Sequence, residues 1–160
     1  MTTPRKPWPV EWSAQYHDML AASRRISILA TGIIEYCMPM HDVYRLQLYL
    51  SRINTKGMEI RNRLSTIYRG RRHTPEESQP QWAIKALEWA GLYSGMIVEQ
   101  SAAALEHLAA DNWKAMEIET DRCWAMGLLI EHYLLVGPPP EMDSKDVLDQ
   151  VREIIETLED

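Results

Sequence analysis

Three glutamates in this chain follow a glycine and a run of apolar residues, a pattern that suggests a metal site inside helices. They are Glu35, Glu99 and Glu131, and His132 directly follows the last of them. Helical bundles that bind two irons or manganeses draw glutamates from four helices and add a histidine one turn later, as Glu-x-x-His. This chain has no Glu-x-x-His, and adjacent helical residues point about 100° apart. The spacing therefore favours solvated glutamates over a carboxylate-bound metal enzyme, and we predict no cofactor.

The residue types of nucleophilic catalysis are present without a catalytic motif. Cys37 and Cys123 lie 86 residues apart, in or beside apolar stripes where a structural thiol is the usual occupant. Neither a Gly-x-Ser-x-Gly motif nor a glycine-rich phosphate loop occurs. We therefore name no catalytic residue, and the lack of these motifs favours a protein without enzymatic activity. The two cysteines without a CxxC spacing also fit a reducing compartment.

A basic segment, residues 56–73, is the strongest binding motif in the sequence. It contains six Lys or Arg residues and only one acidic residue, Glu59. Arginine side chains suit phosphates and carboxylates alike, and an aromatic ring among them can stack on a base. The predicted nucleic-acid or acidic-partner site comprises Lys56, Arg61, Arg63, Tyr68, Arg69, Arg71 and Arg72. The other interpretation, which we favour slightly, is that these cations neutralise a helix C-terminus and cover a neighbouring acidic helix.

Prolines and apolar spacing predict the elements that position these residues. The proline-free stretches 10–38, 40–74, 81–137 and 141–160 predict helices or helix pairs. In the first stretch a 4-3-4-3 stripe predicts the buried face: Trp12, Tyr16, Met19, Ser23, Ile26, Ala30, Ile33 and Cys37. In the second, a 3-4-3-4 stripe does the same: Val43, Leu46, Leu50, Ile53, Gly57, Ile60, Leu64 and Ile67. The small Ser23 and Ala30 would permit close approach of a neighbour, whereas residues 54–57 form a weak patch where the helix would kink or break.

The third proline-free stretch is predicted to contain two further helices. Two apolar or small rows, one running from Trp82 to Ala110 and one from Ala83 to Leu108, predict a third helix with a wide buried face. Asp111 or Asn112 would cap a fourth helix that runs from Trp113 to about Val136. The predicted fold is all-α, an up-and-down antiparallel four-helix bundle with an additional C-terminal amphipathic helix.

The last segment is predicted to stand apart from the bundle. Three prolines at 138–140 form a stiff spacer, so we divide the chain into a bundle at 1–137 and a spacer with an acidic helix at 138–160. The apolar residues of that helix recur at 4-3-4 spacing with two neighbours: Val147, Leu148, Val151, Ile154, Ile155 and Leu158. This helix either folds back onto the bundle or pairs with a second copy or a partner protein.

Composition and charge indicate which class of function to expect. The chain of 160 residues is 46% hydrophobic and 25% charged, as ordinary globular proteins are, and its longest apolar runs are too short to span a membrane. The net charge of -6 hides a polarised molecule, because residues 141–160 carry that whole net charge and residues 56–73 are basic. We expect a cytoplasmic, non-enzymatic interaction protein, an adaptor, inhibitor or small subunit that binds another protein or forms a homodimer. The alternatives are a subunit that binds a nucleic-acid backbone and, third, the metal enzyme.

Overall fold

The computed structural model describes residues 8–71 and 79–138, and within these ranges it contains helices and no strand. After a short 3₁₀ turn at Val10–Trp12, α1 spans Ser13–Gly32 and continues into a π-helical turn at Ile33–Cys37. The remaining helices are α2 at Val43–Gly70, α3 at Gln81–Ala109 and α4 at Trp113–Val136. The all-α prediction is confirmed, whereas the predicted C-terminal helix at 141–160 lies outside the described residues.

The four helices pack against one another around one core. Helix α1 contacts α2 and α4, and α3 contacts the same two helices. Between α1 and α2, Asp18 forms an ion pair with Arg63, and Gly32 lies close to the ring of Tyr49. Each helix therefore buries its apolar stripe against two neighbours.

The stripes predicted for the first two helices form much of this core. All eight stripe residues from Trp12 to Cys37 are buried, and so are all those of α2 except Val43. Val43 is exposed because it is the first residue of α2, directly after the capping residue Asp42. Spacing alone therefore identifies the core faces of both helices.

In α3 the second of the two predicted rows is the main core row. Every residue of that row is buried: Ala83, Leu87, Ala90, Ser94, Ile97, Ser101, Ala104 and Leu108. In the first row Ala86, Trp89 and Tyr93 are buried, whereas Trp82 and Met96 lie at the boundary. The predicted wide buried face is confirmed, with its edge along the first row.

The predicted weak patch of the second helix is a close contact instead of a kink, because α2 is continuous across residues 54–57. A Cβ atom added to Gly57 would lie 3.0 Å from Val98 Cγ2 and 3.2 Å from Ile97 Cγ2. One turn earlier, Asn54 Nδ2 donates hydrogen bonds to the Val98 carbonyl and to Ser101 Oγ, both at 3.0 Å. The poor helix formers in this patch let α2 and α3 approach closely and bond to each other.

Two turns with left-handed residues start α2 and α4. His41 has φ 53° and Asp111 has φ 59°. The next residue caps each helix: Asp42 Oδ1 accepts from the Arg45 amide at 3.0 Å, and Asn112 Oδ1 accepts from the Ala115 amide at 3.3 Å. The rings of His41 and Trp113 lie 5.0 Å apart, so both turns lie at the same end of the molecule.

Candidate protein-binding groove

The structure does not bring the candidate metal ligands together. Glu35, Glu99 and His132 are exposed, and Glu131 pairs with Arg24 at 3.6 Å. Within the described ranges, no three His, Cys, Asp or Glu side chains form a group that could hold a metal ion.

The basic segment is distributed around α2, and several of its cations have partners within the chain. Lys56 Nζ lies 3.0 Å from Glu59 Oε2, and Arg63 lies 3.2 Å from Asp18 on α1. Arg61 donates a hydrogen bond to the Gly91 carbonyl of α3 at 3.1 Å. The contacts of Arg61 and Arg63 therefore join α2 to α3 and to α1, whereas Lys56 pairs within α2 itself.

Near its C-terminus α2 presents a smaller exposed group. Arg69 and Tyr68 are exposed, and the Arg71 guanidinium lies 5.9 Å from the centre of the Tyr68 ring. Arg71 Nε also donates to Gln79 Oε1 at 3.0 Å. Arg72, the remaining predicted member, lies outside the described residues.

A groove that sequence reasoning missed lies between α1, α2 and α4, with a volume of about 980 Å³. Several of its apolar side chains are open to solvent: Ile28 is 59% exposed, Tyr36 68% and Met40 77%. Trp124 and Leu128 of α4 line the same groove and are partly exposed. Together, Ile28, Tyr36, Met40, Trp124 and Leu128 are termed the apolar rim, because all five line the same groove.

Local structure explains how the apolar rim forms. The π-helical turn, in which the Met38 amide donates to the Ile33 carbonyl at 2.9 Å, buries Ile33 and Cys37 and leaves Tyr36 facing out. On α4, Trp124 and Leu128 lie one turn apart and therefore share a face. Ser27 Oγ donates to the Trp124 carbonyl at 3.4 Å, which holds α1 against this part of α4.

Three exposed arginines give the groove a positive character. Arg25, Arg45 and Arg52 line it together with one carboxylate, Asp42. Asp42 lies 3.5 Å from Arg45, whereas Arg25 and Arg52 have no ion pair within the part of the chain that the structure describes. The groove therefore combines exposed aromatic and aliphatic groups with cations that are available to an acidic ligand.

Both cysteine thiols are protected from ionisation. Burial is the main factor that raises the pKa of the Cys37 thiol, with a further contribution from Asp42. Burial, assisted by Glu119, raises the pKa of Cys123 to about 12. A thiol that stays protonated at neutral pH is a weak nucleophile, so Cys37 lines the groove as a packing residue.

Asp121 gives the protein a pH-dependent stability. It lines a smaller pocket beside Trp124, where burial, followed by the charge of Glu117, raises its pKa from the ordinary 3.8 to about 6. The unfolded chain therefore releases this proton at lower pH than the folded chain does, so Asp121 lowers stability as the pH rises from about 4 to about 6.

We expect Asp121→Asn to raise the free energy of unfolding by about 1 kcal/mol at pH 8, after allowance for solvent screening. The gain should disappear near pH 4, as thermal or urea unfolding at both pH values will show. Glu99→Gln, at an exposed position of α3, is the control and should change stability little. An Asp121→Asn effect of equal size at both pH values would contradict this account.

No helix among the described residues is long and apolar enough to cross a membrane. Comparisons of the chain with protein-family models, with curated proteins and with solved structures found no match.

Proposed function

We propose that this chain is a non-enzymatic interaction protein, an adaptor, inhibitor or small subunit, that binds a protein partner in the groove between α1, α2 and α4. The observation that carries the proposal is the apolar rim, which holds five large apolar side chains open to solvent around one concave surface. Contiguous exposed apolar patches with polar borders are typical of interaction sites, whereas single exposed apolar residues are not.

The side chains of the groove are of the types that anchor protein interfaces. Tryptophan, tyrosine and arginine are enriched among residues that contribute most to binding, and all three line this groove. An amphipathic helix that binds in such a groove inserts apolar residues along one face and meets charges at the border. The partner should therefore present apolar residues flanked by Asp or Glu, which Arg25 and Arg52 would meet.

We also infer that the packed helices run up and down as an antiparallel bundle. Contacts along neighbouring helices support this: Asn54 bonds to Val98, whereas Arg61 bonds to Gly91. A cytoplasmic location is proposed as well, and the free thiols of Cys37 and Cys123 support it.

The test is capture of protein partners from the native host with the full chain and two variants. Ile28→Asp/Leu128→Asp places two charges in the apolar rim, and Val10→Asp places one at an exposed apolar residue outside the groove. We expect the rim variant to lose a partner that wild type and Val10→Asp retain, with a Tm within a few degrees of wild type. Capture of the same proteins by all three would contradict the proposal.

A second candidate function is nucleic-acid backbone binding through the exposed end of α2. Its support is the group formed by Tyr68, Arg69 and Arg71, in which Arg71 lies over the exposed Tyr68 ring and the neighbouring Arg69 is exposed. If it operates, Arg69→Glu should weaken binding of labelled single-stranded nucleic acid by roughly tenfold and lower the salt needed for elution from heparin. Lys114→Glu, an exposed basic residue at the start of α4, is the matched control. Equal binding by both variants would exclude this function.

A further inference from the structure

We propose that the acidic C-terminal segment of the same chain, residues 141–160, docks in the groove and competes with the protein partner for it. This inference rests on the proposed function, because it names a second occupant for the same surface. Complementary charge, complementary apolar surface and the reach of the chain each support it.

The charges of the segment and of the groove are opposite. Residues 141–160 carry eight acidic and two basic residues, which account for the whole net charge of -6. Among the described residues that line the groove, Arg25, Arg45 and Arg52 are basic and Asp42 is acidic. Exposed opposite charges attract within roughly 8 Å in physiological salt, which favours this segment over an uncharged one.

The apolar surfaces of the two also match. The segment repeats Val147, Val151, Ile154 and Leu158 at the spacing of one helix face. The apolar rim offers Ile28 on one side and Trp124 and Leu128 on the other. An amphipathic helix in this groove would bury its apolar face and leave its carboxylates near the arginines.

The chain is long enough to reach the groove without a second molecule. Helix α4 ends at Val136, about 12 Å along the helix axis from Leu128 at the rim. The eight residues from 139 to 146 can span about 26 Å when extended. Val147 can therefore arrive at the rim within one chain, which makes docking in cis independent of protein concentration.

Photo-crosslinking of the full chain tests the inference. The photoreactive residue p-benzoylphenylalanine is placed at position 128 in the rim or, as control, at position 99 on the exposed face of α3. A mixture of isotopically labelled and unlabelled chains separates crosslinks within one chain from those between two. We expect position 128 to crosslink to residues 141–160 within one chain, and position 99 to give no such product.

Substitutions in the segment and in the groove extend the test. Val151→Asp/Ile154→Asp and Arg25→Glu/Arg52→Glu should each lower the yield of that crosslink by roughly fivefold or more. Position 128 crosslinks that miss residues 141–160, or that join only separate chains, would overturn docking in cis. Loss of the partner from the rim variant Ile28→Asp/Leu128→Asp would still stand in those cases, so failure of this inference and failure of the proposed function give different results.

Discussion

Gly127→Leu is expected to lower the free energy of unfolding by about 3 kcal/mol or more, because α1 packs closely against α4 at this residue. A Cβ atom at position 127 would lie 2.7 Å from Ser27 Oγ, 3.1 Å from Ile26 Cγ2 and 3.2 Å from the Ser23 carbonyl oxygen. The serine hydroxyl can rotate away, although it then loses its hydrogen bond to Trp124. The Ser23 carbonyl belongs to the backbone of α1, so the helices must separate.

Alanine at the same position separates crowding from helix propensity. Alanine exceeds glycine by about 1 kcal/mol in a helix interior, so a stabilising effect is the default expectation. We expect Gly127→Ala to destabilise by about 1 kcal/mol in spite of that gain, and Ser27→Ala to relieve part of the cost in the double variant.

The matched control is Gly91→Ala in α3, where the added methyl group would meet only Leu64 Cδ1 at 3.8 Å, an ordinary contact distance. It should stabilise the protein by roughly 0.5–1 kcal/mol. Urea unfolding of all four variants, Gly127→Leu, Gly127→Ala, the double variant and Gly91→Ala, measures these differences. Stabilisation by Gly127→Ala equal to that by Gly91→Ala would contradict the close contact between α1 and α4 at this residue.

Trp124→Ala is expected to weaken binding of the captured partner by roughly 30-fold, which corresponds to about 2 kcal/mol for a tryptophan anchor. Trp124 lies at the junction of the groove with the smaller pocket next to it, and its indole is partly exposed. Removal of the indole ring reduces the apolar area that is buried against the partner and also the apolar area that is buried within the folded protein. We therefore expect a lower Tm together with the lower affinity.

Trp113→Ala controls for the effect on the fold. Trp113 is partly buried at the start of α4, contacts His41 and does not line the groove. The Trp113→Ala substitution should lower the Tm to a similar degree and leave the affinity for the partner within about twofold of wild type. Affinity measured by calorimetry at a temperature where both variants are folded checks the difference, and equal losses of affinity would contradict a specific role for Trp124.

Periodicity predicts the core because burial follows one face of each helix. The α1 stripe ends at Cys37, within the π-helical turn, and is buried throughout. The helix starts are equally local, since Asp42 and Asn112 cap the helices that follow them. Such features depend on residues within a few positions of one another, so they can be read from one sequence.

The patch at residues 54–57 shows where local reasoning fails. Asparagine, threonine and glycine are poor helix formers, and their propensities indicate a break. Packing reverses that expectation, because Gly57 fits against Ile97 and Val98 and Asn54 bonds across to α3. The identity of the neighbouring helix decides the outcome, and propensity carries no information about it.

The groove could not be predicted because its residues come from three separate helices. Ile28 and Leu128 lie off the core stripes, and each alone is an unremarkable exposed apolar residue. The available signal was the apolar run from Ile26 to Ile34, which leaves apolar residues on more than one face of α1. The basic segment was the more conspicuous motif, yet Arg61 and Arg63 bond to neighbouring helices.

The most direct test of the central claim is the dissociation constant of the captured partner for wild type and for Ile28→Asp/Leu128→Asp, measured by calorimetry with the full chains. A partner that binds in the groove should lose at least about tenfold in affinity, because two apolar contacts are replaced by buried or repelled carboxylates. Val10→Asp should bind as wild type does. An unchanged dissociation constant for a folded Ile28→Asp/Leu128→Asp variant would contradict the assignment of this groove as the binding site.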